Sequence, residues 1–175
     1  PLLLMSLKVA PALVAGNTVV IKSAEEAPFA VLRAAEIMNT ILPPGVLNMI
    51  SGDGPTTGEA LVRHPDVAKV TFTGSVETGK RIYKNSSEKL IPVTLELGGK
   101  SPMIVCEDVD VNKVVEGAMT SMRFTRQGQS CTAASRIFVH ESIFDPFLEG
   151  LKAKLNELKI GDPMDMETDV GAVIS

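Results

Sequence analysis

The chain has 175 residues, 45% of them apolar and 22% charged, with a net charge of −4. This is an ordinary globular composition with material for a core; the lack of a basic tract argues against nucleic acid or an anionic membrane as partner, and no run of about 18 apolar residues is present to span a bilayer. Two cysteines, Cys106 and Cys131, do not make a secreted disulfide scaffold, so a reducing cytoplasm is expected.

Residues 1–15 are apolar nearly all round, with Ser6 and Lys8 as exceptions. That predicts a buried helix, kinked or ended near Pro11 and closed by the turn signal Gly16-Asn17. The leucine run here is too short, and lacks the basic leader, for a signal peptide. The chain starts without Met and stops at Ile174-Ser175 without an evident closing element, so a segment of a longer polypeptide is expected. Thr18 to Ile21 is a continuous β-branched run, predicting a strand buried on both faces. Residues 28–40 read as an amphipathic helix with Pro28 near its start. Val46 to Ile50 is the next strand, followed by the glycine-rich loop Gly52-Asp53-Gly54-Pro55 and a short helix to Arg63. Val67 to Phe72 is a third strand, Gly74-Ser75 opens a helix to about Asn85, and Ile91 to Leu97 is a fourth extended segment. Strands alternating with helices predict an α/β fold, a parallel sheet with flanking helices and right-handed crossovers.

After Gly98-Gly99 the rhythm changes. Ser101 to Val105 is a strand, and Val109 to about Phe124 a helix that Asp108 or Asp110 could cap. A loop around Cys131 leads to a strand at 136–140 and an amphipathic helix from about Ser142 to Leu158, whose Lys152, Lys154 and Lys159 suit the helix dipole. A boundary near residues 97–100 divides the chain into 1–98 and 99–175.

Ligands of open parallel sheets bind beyond the carboxyl ends of the strands. The four sets there are Lys22-Ser23-Ala24-Glu25, Gly52-Asp53-Gly54, Thr73-Gly74-Ser75 and Glu96-Leu97-Gly98-Gly99, expected along one edge. Gly74-Ser75 at a helix start suits a phosphate, or is a plain serine cap; the run from Gly74 to Gly79 is not the GxGxxG fingerprint. Lys22 could donate to ribose or phosphate oxygens, and Glu25 could accept from a vicinal diol or serve as a helix N-terminal charge. Glu96 ends an apolar run beside two glycines. It is either a strand-end carboxylate in solvent or a partly buried one with a raised pKa, usable as a general base. Cys131 sits among small and polar residues, Gln127 to Ser135, where a packing thiol would have apolar neighbours; it is a reactive thiol or a plain loop cysteine. Cys106 reads as a strand-end thiol without a role. His64 and His140 fall outside any cluster, and no metal-ligand spacing is present.

Thr94-Leu95-Glu96-Leu97-Gly98-Gly99-Lys100-Ser101-Pro102 resembles the glutamate signature of the NAD(P)-dependent aldehyde dehydrogenase superfamily. Phe124 to Arg136, with Gly128-Gln129-Ser130-Cys131, resembles its cysteine signature. Phe72 to Ser75 and Ala15 to Lys22 are similar to two further family strings. The resemblance implies a partial Rossmann-like coenzyme domain, residues 1–98, followed by the start of an α/β catalytic domain, residues 99–175. It implies an oxidoreductase in which Cys131 attacks an aldehyde to give a thiohemiacetal, hydride passes to NAD (with NADP as the alternative), and Glu96 activates water, or the thiol itself. The Cys131 amide supplies half of an oxyanion hole, and Ser130 and Thr132 flank the substrate. Lys22 and Glu25 hold the adenosine ribose, Gly54 approaches the adenine side, Gly74 and Ser75 meet the pyrophosphate, and Thr73, Gly79 and Leu97 complete the coenzyme contacts. An acid at position 25 favours NAD over NADP. The parent is expected to be a homo-oligomer, a dimer or tetramer. The alternatives are a CoA-acylating member, against which the presence of Glu96 argues because water activation is what that carboxylate would serve, and a non-catalytic protein on the same scaffold, against which retention of both Glu96 and Cys131 argues. Ser23 stands where the family usually has proline, predicting a looser Lys22 loop. The spacing from Glu96 to Cys131 is one longer than in many members, with the extra residue expected in Thr125-Arg126. The resemblance begins just after the place of the family's oxyanion-hole asparagine, and the later coenzyme-binding glutamate and oligomerisation strand lie outside the chain, so the isolated segment is expected to be inactive.

Overall fold

A computed structural model of the chain describes residues 1–174. The backbone forms two compact units, one of Pro1–Leu97 and one beginning at Gly98. The first unit runs α1 (Leu2–Val14), β1 (Val19–Lys22), α2 (Phe29–Asn39), β2 (Leu47–Ile50), α3 (Glu59–Arg63), β3 (Val70–Thr73), α4 (Val76–Ser87) and β4 (Val93–Glu96). The second runs β5 (Pro102–Val105), α5 (Val111–Met122), β6 (Arg136–Val139) and α6 (Phe144–Asn156). The class is α/β. The strands pair in parallel two by two, β1 with β2, β3 with β4 and β5 with β6: Lys22 lies opposite Ile50, Thr73 opposite Glu96, and Val105 opposite Val139. The first unit therefore carries two ladders, β1–β2 and β3–β4, where a single continuous sheet is expected from the alternation; among the described residues no ladder joins them. Pairing of neighbours across one helix is the cheapest closure for a parallel pair.

The first core is built by one stripe of α1. Met5 and Val9 are buried with Val31 and Ala35 of α2 and Leu47 of β2, and Leu13, Val19, Ile21 and Met49 pack around them. The expectation of a helix buried all round is corrected, because Leu2, Leu3, Leu4 and Leu7 are exposed. Nor does α1 stop at Pro11. It continues to Val14, and the chain then closes on the carbonyls of Leu13 and Ala12 through the N–H groups of Gly16 and Asn17. Proline at position 11 removes one donor late in the helix, so only the last turn bears the loss. β1 also departs from expectation: Val19 and Ile21 face the core, but Val20 is 46% exposed, so the strand buries one face.

Between β2 and α3 the chain makes a wide π-type turn, Gly54–Gly58, in which Gly58 N–H donates to the Asp53 carbonyl. Asp53 caps it, accepting from Thr56 N–H at 2.6 Å. Arg63 of α3 then reaches Glu59 at 3.1 Å, Glu88 at 3.0 Å and the buried Asn85 at 2.6 Å, while Arg81 of α4 reaches the other oxygen of Glu59 at 2.7 Å. The two guanidinium groups, Arg81 first, hold the Glu59 carboxyl below the ordinary glutamate range.

In the second unit α5 and α6 pack through Val115, Ala118 and Phe147 over Met103, Ile137 and Val139 of the strands. Asp110, rather than Asp108, caps α5, accepting from the N–H groups of Asn112 and Lys113. The lysines at the end of α6 each meet a carboxylate: Lys152 with Glu149, Lys154 with Glu157 and Lys159 with Glu167. The loop between α5 and β6 is pinned by Ala134 N–H on the Ser121 carbonyl at 3.1 Å and by Arg136 Nε on the Lys100 carbonyl at 2.9 Å. Gly99 lies so close that a Cβ there would sit 2.6 Å from the Cys131 carbonyl oxygen. Backbone cannot swing aside as a flexible side chain can.

Gly99→Ala is expected to destabilise the protein by about 1–3 kcal/mol through this overlap, read as a lowered denaturation midpoint in the full-length protein. The Glu59 carboxyl, lowered in the folded state, contributes stability that is fully present above the unfolded glutamate value of about 4.3 and is lost as pH falls through the lower folded value. Glu59→Gln is therefore expected to be less stable than wild type at neutral pH, with the two denaturation curves converging in acid.

Candidate active site

Three groups of polar residues stand at the carboxyl ends of the strands or beside them. The first is at β1 and β2. Lys22 Nζ donates to the Gly52 carbonyl at 2.7 Å and lies 3.3 Å from Glu25. A Cβ on Gly54 would fall 3.9 Å from the Glu25 carboxylate, so Lys22, Glu25 and Gly54 meet in one place. The carboxyl of Glu25 is held below its ordinary range by its own backbone N–H, and further by Lys22 and the Gly54 N–H, so it stays ionised at neutral pH. The Asp53 carboxyl beside it is lowered by Thr56. Ser23 corrects the expectation of a loose loop. Its N–H donates to the Ile50 carbonyl at 3.1 Å, one rung beyond β1, and its hydroxyl is 3.3 Å from that of Ser51.

The second group is at β3 and β4. Gly74 N–H donates to the Glu96 carbonyl at 3.0 Å, extending that ladder by one rung. Ser75 caps α4, its hydroxyl accepting from Thr78 N–H at 3.2 Å and donating to Thr78 Oγ1 at 2.9 Å. The first-turn N–H groups of such a helix have no intrahelical partner and carry the positive end of the dipole. Gly79 is buried, and a Cβ there would meet the Leu97 side chain at 2.6 Å, so it seats Leu97 against α4. Of the two alternatives the sequence leaves open for Glu96, the exposed strand-end carboxylate is the one found; strand alternation turns Val93 and Leu95 inward and Glu96 outward. Lys8 of α1, the charged exception in its apolar helix, donates to Thr73 Oγ1 at 2.7 Å. Sequence inspection notes Lys8 without giving it a place. A lone charge in an apolar helix, which must reach a polar partner, is the signal.

The third group is the Cys131 loop, wholly within the second unit. Cys131 is a free, exposed thiol. Ser130 and Thr132 are tied to each other, with hydroxyls 3.0 Å apart and Thr132 N–H 3.3 Å from Ser130 Oγ, which leaves the sulfur between them unencumbered. Among the described residues the Cys131 N–H has no hydrogen-bond partner. Ahead of the cysteine, Phe124–Arg126 forms a single tight turn between Arg123 at φ 59 and Gln127 at φ 52, both left-handed without being glycine. Thr125-Arg126, the segment where an extra residue is expected, is in this turn. Cys106, at the end of β5, is also exposed. No group of three or more His, Cys, Asp or Glu suited to a metal occurs among the described residues, and no described helix is long and apolar enough to cross a membrane.

The sequence matches the model of the aldehyde dehydrogenase family over residues 1–175. It is 51% identical to the mitochondrial benzaldehyde dehydrogenase of Antirrhinum majus over 98% of this chain and 32% of that protein. It is 48% identical to the chloroplastic betaine aldehyde dehydrogenase of Beta vulgaris over 100% of this chain and 35% of that protein. The structure superposes on that of betaine aldehyde dehydrogenase from Staphylococcus aureus in complex with NAD+ with a TM-score of 0.95 and 40% identity, covering 100% of this chain and 35% of that one. The chain thus spans about a third of the length of the relatives it matches. Paired parallel strands, a signature glutamate at the end of β4 and a signature cysteine on the loop before β6 accord with that match, and the chain belongs to the aldehyde dehydrogenase family.

Proposed function

We propose that the whole protein oxidises an aldehyde to a carboxylic acid with NAD, through a thioester on Cys131 that water resolves with the help of Glu96. The observation that carries this reading is the Cys131 loop: an exposed thiol, an N–H on the same residue with no hydrogen-bond partner among the described residues, and flanking hydroxyls bonded to each other. A thiol so placed can add to a carbonyl carbon, and the N–H beside it can meet the charge that develops on the carbonyl oxygen. The exposed thiol gives up its proton to solvent, the resulting thiolate sulfur bonds to the aldehyde carbon, and the carbonyl π pair moves to the oxygen to make the oxyanion of a tetrahedral thiohemiacetal. That oxyanion collapses to a thioester as a hydride leaves the carbon. Glu96 then takes a proton from water as its oxygen attacks the thioester; the carbon–sulfur bond breaks and Cys131 is released with the acid. The exposed position of Glu96 suits a group that must meet water, and favours hydrolysis over acyl transfer to CoA.

The first unit fits a dinucleotide by its donor set. The ionised Glu25 carboxylate can accept from a ribose diol and would repel a 2′-phosphate, which favours NAD over NADP. Lys22 supplies a cation beside it, Gly54 leaves room for the adenine side, and Gly74 with Ser75 and the start of α4 suits the pyrophosphate. Thr73 and Leu97 complete the contacts, Gly79 acting through the seat it gives Leu97. When bound, the dinucleotide supplies the hydride acceptor. On this reading residues 1–98 belong to the coenzyme domain and residues 99–175 to the catalytic domain, with Ser130 and Thr132 beside the substrate. The whole protein is proposed to be a cytoplasmic homo-oligomer, a dimer or tetramer; the free thiols of Cys106 and Cys131 support a reducing compartment.

Cys131→Ala in the full-length protein is expected to abolish NADH formation from aldehydes, measured by absorbance. Turnover at the wild-type rate would refute the nucleophile assignment. Glu96→Gln is expected to retain a pre-steady-state burst of NADH while steady-state turnover falls by about 100-fold or more; unchanged turnover would remove Glu96 from the hydrolytic step.

A further inference from the structure

The β1–β2 edge holds a hydroxyl pair that the proposed chemistry does not use. Ser23 is 4% exposed and follows Lys22 directly; Ser51 is exposed and precedes Gly52 directly. Their hydroxyls are 3.3 Å apart and bridge the two strand ends. Beyond that bridge, Lys22 Nζ donates to the Gly52 carbonyl at 2.7 Å and pairs with Glu25 at 3.3 Å. The residues that carry the ammonium and its carbonyl acceptor are thus each the immediate neighbour of one serine. Ser23 N–H also extends the ladder by its bond to the Ile50 carbonyl. A proline at this position would offer neither the N–H nor the hydroxyl.

We infer that Ser23 and Ser51 are positioning residues for the coenzyme: their hydroxyl pair fixes the distance between the Lys22 backbone and the Gly52 carbonyl, and so holds the Lys22 ammonium and Glu25 carboxylate in their binding arrangement before NAD arrives. The inference rests on the reading of this edge as the coenzyme site. A long lysine side chain loses much rotamer freedom when a ligand orders it. An ammonium already held in place binds the ligand with less of that loss. Ser23 is also nine-tenths or more buried, so its hydroxyl needs the partner that Ser51 supplies.

The test is calorimetric titration of NAD into the full-length enzyme and its variants. Ser23→Ala and Ser51→Ala are each expected to weaken NAD binding about threefold to tenfold, as loss of one hydrogen bond would. The double variant should bind no more weakly than the weaker single, because both remove one contact. Ser51→Thr, which keeps the hydroxyl at an exposed position, should stay within about twofold of wild type. The KM for aldehyde and kcat at saturating NAD should not move. A purely structural pair would lower the melting temperature and leave the NAD affinity unchanged; that result, or single effects that add in the double variant, overturns the inference. If Ser23→Ala does not fold, Ser51→Ala removes the same contact from the exposed side and decides the matter. Lys22→Ala separates the two readings. If it leaves NAD binding intact, the coenzyme site is misplaced and the inference falls with it. If it weakens binding while the serine variants do not, the site stands and the inference alone fails.

Discussion

Parallel pairing of β1 with β2 is the constraint on which the first unit depends. In a parallel ladder both strands end on the same side, so whatever follows each strand is delivered to one edge. Lys22 opposite Ile50 therefore brings Ser23 to Ser51 and the lysine head to the Gly52 carbonyl, although these residues are far apart along the chain. The core stripe of Met5, Val9, Val31, Ala35 and Leu47 holds that register from behind, because sliding a strand by one residue would turn its buried face outward. The ion pair of half-buried Lys22 with exposed Glu25 reaches solvent on the carboxylate side and has little energy of its own. Its value is geometric, and the geometry comes from the ladder.

The second unit solves a different problem, that of presenting a thiol on a loop without letting the loop wander. It does so with backbone. The Ser121 and Lys100 carbonyls anchor the loop after the cysteine, Gly99 abuts the Cys131 carbonyl, and the tight turn at Phe124–Arg126 fixes the approach. None of these contacts uses the sulfur. The side chains on either side of it are also bonded to each other, and the thiol itself is exposed. Left-handed Arg123 and Gln127 are a strain borne by the packing of α5 and α6 against the β5–β6 pair.

The sequence by itself determined the order and type of the elements, since apolar periodicity, glycine and proline act locally and survive without knowledge of the partners. It also determined the family, because the strings around Glu96 and Cys131 are long and chemically specific. Tertiary structure decided which face of each element is buried. The apolar runs of α1 and β1 predict burial all round, but a helix or strand packed on one side buries only that side, leaving Leu3, Leu7 and Val20 outside. It also decided the helix capped by Asp110, the place of Lys8 against Thr73, and the exposure of Glu96. The change of Ser23 from a supposed weakness to a buried, bonded residue shows the reason. A residue's local propensity is written in its own side chain, but its hydrogen-bond partner is set by whichever strand lies beside it, and that strand comes from another part of the chain.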